Sequence, residues 1–431
     1  MKEKTLVSLL FIILLLPVFS GCLEDDGIDN ERPLVELLYP SEGDQVSSLV
    51  MISGEAHDPD GDDTLRAVEI MIGDREWEAA EGTQKWSYDW RTYEIDDGTY
   101  VIHVRSWDGL SYSEEVAIEV LVDNPKSIDS GTHKWAVFIA VANFPADNES
   151  KLGNGGLHLA EDMAEYFIVN YGYSTSNIVI LFDDGWIRKD NGYGERIETL
   201  QQRPHEYDIT YGGATRKNVE ATLSQVIKEA NGFEDSEVFV WLFSHGCGDE
   251  NDILTGGKFL ESSAVFLWDE IITDQELGDV LYDLQSKKTC IIVDACFSGG
   301  FADRTISDFP TFFLLKSDIP SPGRVVMTGT SKYRVGYAST TRGPLFSLLW
   351  FEGLTTGDAD GFRSGIRETG RPTLLKRFKD GKVSVEEAFY YARHMLRTDQ
   401  TLEEYTTMQP QINDQYPNNG LLRSYRGLIL G

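Results

Sequence analysis

The spacing of apolar positions divides the chain into two parts with different periods. From about residue 31 to residue 124, short apolar runs alternate with polar positions, and turn residues such as Asp97-Gly98 separate them. Runs of this length and spacing predict an all-β sandwich. The predicted strands are Leu34–Leu38, Leu49–Ala56, Ala67–Ile72, Trp86–Trp90, Tyr100–Trp107 and Glu115–Val122.

In the second part the apolar runs are continuous, and the segments between them repeat with the period of a helix. Continuous runs are typical of strands buried on both faces. They predict strands at Trp135–Ala142, Ile178–Phe182, Val238–Phe243, Cys290–Ala295 and Val325–Thr328. Two helices are predicted to begin with capping boxes, Thr273–Glu276 and Ser384–Glu387. Strands that alternate with helices predict an α/β fold, here a mostly parallel sheet with helices on both faces.

The N-terminus has the features of an export signal. A basic start is followed by an apolar run of ~14 residues and then by Ser20-Gly21-Cys22. The apolar run is too short for an ordinary membrane-spanning helix. The Cys after Phe-Ser-Gly resembles the lipobox of prokaryotic lipoproteins. That resemblance implies lipidation of Cys22 and anchoring to the cell membrane of a prokaryote on its extracytoplasmic side. The alternative is a plain signal peptide in which Cys22 is incidental.

These patterns divide the chain into five segments. We predict a signal peptide at 1–21, an acidic tether at 22–30, a β-sandwich at 31–124, a linker at 125–133 and an α/β domain at 134–431.

Charge excludes one class of partner. The chain of 431 residues has 38 Lys and Arg against 71 Asp and Glu, a formal net charge of −33. Such a surface repels phosphate, so we expect no nucleic-acid partner. Two acidic stretches, Asp58–Asp63 and Asp380–Glu387, are either calcium sites or solvated turns.

Chemistry-bearing residues follow two of the predicted parallel strands. Val238–Phe243 leads into Ser244-His245-Gly246, and Cys290–Ala295 leads into Cys296-Phe297-Ser298-Gly299. Reactive groups gather beyond the carboxyl ends of such strands, so His245 and Cys296 can meet as a base and a thiol nucleophile. The main-chain N–H groups of Gly246 and Cys296 are the best candidates for an oxyanion hole. The competing interpretation is a buried structural Cys and an unrelated loop His.

These motifs resemble those of the legumain-like cysteine peptidases of the caspase–haemoglobinase fold, over roughly Trp135 to Phe351. The stretches that carry the resemblance are Asn177–Asp184, Tyr207–Asn218, Ser244–Gly248 and Asp294–Gly299. The resemblance implies hydrolysis of a peptide or protein substrate through a thioester, with Cys296 as nucleophile and His245 as acid and base. It implies no metal and no cofactor. The first part of the chain is similar to bacterial and archaeal immunoglobulin-like surface domains.

The same resemblance implies a specificity pocket. Asp294, two residues before the Cys, and Ser331, in a later strand-loop, match pocket residues of the family. His158 matches the His of the first helix, but Leu157 stands where asparagine-cleaving members have an Arg. Asp294 favours a basic residue before the cut and Lys332 or Arg334 an acidic one, so the preference stays open.

Alternatives remain for the activity and for the other thiols. An amine can resolve the thioester instead of water, which would make the protein a transpeptidase or ligase. A decayed peptidase domain would leave a non-catalytic surface-binding protein. Cys290 is expected in the core, whereas Cys247 is placed where oxidation would pair it with Cys296. The long loops 183–214 and 249–273 are expected to contact substrate.

Overall fold

The computed structural model describes residues 30–124, 132–144, 151–248, 263–302, 319–363, 379–417 and 427–431. The predicted signal peptide, Cys22 and most of the predicted linker lie outside these residues. None of the helices in the described ranges combines the length and apolar character that crossing a membrane requires.

The N-terminal domain consists of two packed β-sheets, because the alternating apolar positions face one another between them. Its strands are β1 (Leu34–Tyr39), β2 (Gln45–Val46), β3 (Leu49–His57), β4 (Ala67–Ile72), β5 (Glu78–Ala79), β6 (Lys85–Arg91), β7 (Gly98–Trp107) and β8 (Val116–Val122). One sheet has the order β1-β3-β6 and the other β2-β8-β7-β4-β5. Trp86, Val104 and Val120 lie buried between the sheets. Short 3₁₀ turns occur at Asp62–Thr64 and Thr92–Glu94.

The second domain is built on a seven-stranded sheet. Within the described residues, its strands, including those of three small sheets, are β9 (Lys134–Ala140), β10 (Ile178–Phe182), β11 (Trp186–Arg188), β12 (Arg196–Thr199), β13 (Thr210–Gly212), β14 (Glu237–Phe243), β15 (Gly246–Cys247), β16 (Ala264–Phe266), β17 (Ile271–Thr273), β18 (Lys288–Asp294), β19 (Arg324–Thr328), β20 (Ala338–Ser339), β21 (Gly343–Pro344) and β22 (Gln411–Asp414). The order in the main sheet is β13-β10-β9-β14-β18-β19-β22. Every pair in it is parallel except β19 with the edge strand β22.

Helices cover both faces of this sheet, as the sequence predicts. They are α1 (Gly155–Tyr166), α2 (Arg216–Ala230), α3 (Asp274–Val280), α4 (Leu345–Thr356) and α5 (Val385–Thr398), with shorter helical turns at Phe167–Tyr171, Thr175–Asn177, Lys189–Gly192, Ser298–Ala302 and Gln400–Tyr405. Helices α1, α4 and α5 share one apolar cluster with the sheet, and α2 and α3 share the other. Both predicted capping boxes are confirmed, at Thr273 and at Ser384.

The two acidic stretches are turns whose carboxylates accept main-chain hydrogen bonds. Asp58 accepts from the N–H of Asp60 at 3.0 Å, and Asp380 accepts from the N–H of Lys382 at 3.0 Å. Across the described residues, no group of three or more His, Cys, Asp or Glu side chains is arranged to hold a metal ion.

Part of the first long loop contacts the N-terminal domain, and the contact of this loop with substrate stays a prediction. The hairpin β11–β12 inside 183–214 packs against the N-terminal domain, where the indole N–H of Trp186 donates to Ser87 Oγ at 2.9 Å. Trp186 is buried by this contact, and burial of its large apolar ring stabilises the packing of the hairpin. Part of the second loop, 249–262, lies outside the described residues.

Candidate active site

The register of two neighbouring strands brings the His and Cys loops together. β14 and β18 are parallel, and Phe243 is directly opposite Asp294. His245 and Cys296 each follow two residues later, so both loops leave the sheet at the same level. Both residues are partly exposed, while the strand residues before them are buried. The positions needed for a base and a nucleophile at one sheet edge are therefore present.

Gly246 and Cys296 lie so close that a side chain at position 246 would not fit. A Cβ atom built on Gly246 would lie 2.0 Å from the carbonyl oxygen of Cys296 and 3.0 Å from Cβ of Ala295. Only a glycine permits this approach of the two main chains. The main-chain groups of the predicted oxyanion hole thus belong to adjoining segments.

The sulfur of Cys296 has a main-chain donor that sequence reasoning missed. The N–H of Gly336 donates to Sγ at 3.3 Å. This hydrogen bond lowers the pKa of the thiol, but burial outweighs it and raises the pKa above its ordinary value. The thiol therefore needs a base to become the reactive thiolate. No spacing or motif distinguishes Gly336 from the glycines around it.

The imidazole of His245 stacks on a second residue that sequence reasoning missed, Phe144. The ring centroids are 5.1 Å apart with an interplanar angle of 28°. Phe144 is buried and has φ +40°, an uncommon conformation for a bulky residue. Phe266 meets Phe144 edge to face at 6.1 Å, and its N–H donates to the His245 carbonyl at 3.0 Å. The sequence position of Phe144 could have indicated this contact, because Phe144 follows the end of β9, which is the second of the two neighbours of β14 in the sheet.

The predicted pocket residue Asp294 lies beneath the cleft surface. It is 2% exposed, and its Oδ2 accepts from the N–H of Ser347 at 2.9 Å and from its hydroxyl at 2.8 Å. Ser347 lies in the first turn of α4, where a carboxylate satisfies a main-chain donor and favours the helix dipole. Burial raises the pKa of Asp294 to about 6. In this structure Asp294 supports α4, and its contact with substrate stays a prediction.

The other two predicted pocket residues differ in exposure. Ser331 is 8% exposed, and its hydroxyl donates to Gln409 Oε1 at 3.3 Å. His158 is exposed on α1, with Nδ1 3.3 Å from the carbonyl oxygen of Thr341. Leu157, at the position where asparagine-cleaving enzymes have an Arg, is fully buried in the core. Of the three predicted residues, His158 is the one open to solvent.

The remaining thiols, Cys290 and Cys247, differ in burial. Cys290 is fully buried in the core on the face of α1 and α4, as expected, and burial raises the pKa of its thiol. Cys247 is partly exposed in β15, where burial also raises the thiol pKa. Cys247, Cys290 and Cys296 are all free thiols.

Comparison with known proteins gives two family matches. The model of a caspase domain matches residues 133–349, and the model of a bacterial Ig domain matches residues 33–104. Among curated proteins, none matches the chain.

Several solved structures are similar in part. Caspase-1 from Spodoptera frugiperda is 12% identical, with 65% of this chain and 86% of that chain covered, at a TM-score of 0.34. The fibronectin(III)-like modules of CbhA from Clostridium thermocellum are 21% identical, with 22% of this chain and 47% of that chain covered, at a TM-score of 0.19. The endo-beta-1,4-mannanase from Thermotoga petrophila is 17% identical, with 23% of this chain and 21% of that chain covered, at a TM-score of 0.20.

Proposed function

The chain belongs to the caspase-domain family, and from that membership we propose that it is a cysteine endopeptidase with Cys296 and His245 as its catalytic pair. The observation that carries the proposal is the register of β14 and β18, in which Phe243 is opposite Asp294. His245 and Cys296 each lie two residues beyond these paired positions. The presence of both residues there favours an active enzyme over a decayed peptidase domain.

The proposed reaction has two stages. His245 takes the thiol proton of Cys296, and the sulfur attacks the carbonyl carbon of the scissile bond. The C–N bond then breaks, and the leaving amine receives the proton from His245. Water then gives a proton to His245 and attacks the thioester carbon; the C–S bond breaks, the acid leaves, and the sulfur regains a proton from His245. The N–H groups of Gly246 and Cys296 are proposed to stabilise the negative oxygen that forms in each stage.

For the residue before the cut, the exposure of charged side chains supports a preference for acidic over basic residues. Arg334 is exposed, and its carbonyl accepts from the N–H of Phe297, next to the nucleophile, at 2.8 Å. Asp294 is buried against Ser347. We therefore infer that the basic Arg334 meets the substrate, with His158 as a further contact, while Asp294 and Ser331 support the cleft from beneath. A strictly asparaginyl, legumain-like preference is disfavoured by the buried Leu157.

For location, the sequence supports a protein that is exported, lipidated at Cys22 and held at the outer side of the cell membrane of a prokaryote. Lipid on Cys22 is testable by expressing the chain and its Cys22→Ala variant in a prokaryotic host. We expect the first in the membrane fraction and the variant in a soluble, secreted form. Equal membrane association of both would contradict lipid anchoring.

A positional-scanning library of fluorogenic peptides tests the activity and the preference together. We expect the full chain to release fluorophore best from peptides with an acidic residue before the cut, and Arg334→Ala to lose that preference. Cys296→Ala should be inactive. Cys247→Ser, which removes another partly exposed thiol, should match the wild type. Adding an amine nucleophile separates hydrolysis from ligation, since a ligase would yield mainly the amide product. No cleavage of any peptide would contradict the proposal.

A further inference from the structure

The face of the immunoglobulin-like domain (residues 30–124) that meets the peptidase domain is part of the peptidase core. Leu49 is 2% exposed and belongs to the apolar cluster that includes Leu181 and Ala214. A Cβ atom on Gly212, in the edge strand β13, would lie 2.2 Å from Cδ2 of Leu49. Such close packing is typical of a fixed interface and not of a flexible stalk.

Buried polar groups of the peptidase domain find their partners in the immunoglobulin-like domain. Asn218 is fully buried. Its amide oxygen accepts from Arg91 at 3.0 Å and its amide nitrogen donates to Asp89. The N–H of Met51 donates to Gln201 Oε1 at 2.9 Å. Because unsatisfied buried polar groups are costly, these hydrogen bonds stabilise the contact between the two domains.

The contact extends to Trp268 through a chain of charged residues. Asp184 is buried and pairs with both Arg188 and Arg196, and Arg196 also pairs with Glu81 of the immunoglobulin-like domain at 3.0 Å. The indole N–H of Trp268 donates to the same Oε1 of Glu81 at 3.4 Å. The guanidinium of Arg188 lies 5.0 Å from the ring of Trp268.

Trp268 lies in the turn of the hairpin formed by β16 and β17, and this hairpin holds the His loop. Val265 of β16 pairs with Gly246. The N–H of Phe266 donates to the carbonyl of His245 at 3.0 Å. The ring of Phe266 also supports Phe144, which stacks on the imidazole.

The residue before the same hairpin holds the Cys loop. Ser263 is fully buried. Its hydroxyl donates to the carbonyl of Phe297 at 2.6 Å and accepts from the N–H of Gly300 at 2.9 Å. Phe297 directly follows the nucleophile. One hairpin, the segment 263–273, therefore contacts both catalytic loops at one end and the immunoglobulin-like domain at its turn.

We propose that the immunoglobulin-like domain positions the catalytic loops through this hairpin, with Trp268 as the positioning residue and Glu81 as its contact across the interface. The inference rests on the proposed peptidase function and adds a requirement for the docked domain. Misplacement of about 1 Å at a reacting group lowers a rate by up to ~10²-fold. Loosening the turn is therefore expected to lower kcat while KM changes little, because substrate-contacting residues are not altered.

The test uses the full chain and four variants. Glu81→Ala and Trp268→Ala remove the contact. Trp268→Phe keeps a ring for Arg188 and loses the N–H donor. Glu119→Ala removes an exposed carboxylate from the other sheet of the same domain and serves as the matched control. We measure kcat and KM on the best library peptide, the pH dependence of alkylation of Cys296 by iodoacetamide, and the melting temperature.

We expect kcat to fall roughly 10-fold or more in Trp268→Ala and Glu81→Ala, less in Trp268→Phe, and not at all in Glu119→Ala. In the first two, alkylation of Cys296 should shift to higher pH, as for a thiol whose imidazole partner is displaced. Unchanged kcat and alkylation profile in an active wild-type background would overturn the inference and leave the peptidase proposal standing. Loss of rate that merely follows loss of folded protein would also overturn it. An inactive wild type with slow, pH-shifted alkylation would instead refute the peptidase function and, with it, this inference.

Discussion

Phe243 and Asp294 face each other in a parallel pair of strands, and this pairing fixes the relative height of His245 and Cys296. Parallel strands have a single hydrogen-bond register here, so a shift of one residue would move one loop about 3.3 Å along the sheet relative to the other. The proposed chemistry depends on this register more than on any side-chain contact between the two loops.

Replacing Gly246 with Ala should disrupt the site without unfolding the domain. The added Cβ would lie 2.0 Å from the Cys296 carbonyl oxygen, so one of the two loops must shift. We expect a loss of roughly 10²-fold in kcat/KM, measured on the best library peptide. Gly232→Ala, in the turn between α2 and β14 where the added Cβ would lie 3.1 Å from the carbonyl oxygen of Glu229, is the matched control. Equal activity of both variants would contradict the close approach of the loops.

Replacing Asp294 with Ala should destabilise the fold. The N–H and hydroxyl of Ser347 would lose their shared acceptor, and each buried donor left unsatisfied costs about 1–3 kcal/mol. Urea denaturation of the wild type and the variant measures this cost. Ser347→Ala keeps the main-chain N–H bonded to Asp294 but leaves the buried indole N–H of Trp241, which donates to this hydroxyl at 2.9 Å, without its acceptor, so it should also destabilise the fold. If Asp294→Ala leaves stability unchanged and alters the residue preferred before the cut, the carboxylate acts in the pocket and not under α4.

Asp89 should make the stability of the protein fall as the pH rises. The pKa of this carboxyl is raised from an ordinary 3.8 to about 7, chiefly by burial; Glu81 and Asp184 contribute to the rise, and Asn218 and Arg91 oppose it. Between about pH 4 and pH 7, the folded protein therefore holds a proton on Asp89 that the unfolded chain has already released. The stabilisation from that proton is complete below pH 4 and is lost as the pH rises through 7.

Asp89→Asn keeps the shape of the side chain and removes the titration. We expect the melting temperature of the wild type, relative to Asp89→Asn, to decrease steadily from pH 5 to pH 8. The other raised carboxyls, such as Asp183 with a pKa of about 6, are present in both proteins and cancel in the difference. A difference that does not change with pH would show that Asp89 is ionised throughout.

Much of the fold was predictable because the signals are local. Continuous apolar runs predicted the central strands, and the hydrogen-bonding side chains of Thr273 and Ser384 predicted the starts of two helices. The edge strands β13 and β22 were missed, since they are short and their pairing depends on partners far away in sequence. Local propensity carries no information about such partners.

The candidate site was predictable only in part, for the same reason. His245, Gly246 and Cys296 follow strand ends that the sequence reveals. Gly336 reaches the sulfur from a loop that follows the next strand, β19, and only the three-dimensional path of that loop shows it. Asp294 alternates with Ile292 and Cys290 toward the face covered by α4. The sequence alone did not identify α4 as the element that meets it.

The most direct test of the central claim is covalent labelling by a peptide that carries a thiol-reactive electrophile, followed by mass spectrometry of the full chain. We predict one adduct, located on Cys296, in the wild type and in Cys247→Ser. Cys296→Ala should gain none, and His245→Ala should react at least ~10²-fold more slowly, because it lacks the general base. An adduct on Cys247 in place of Cys296, or equal rates in the wild type and His245→Ala, would contradict the account.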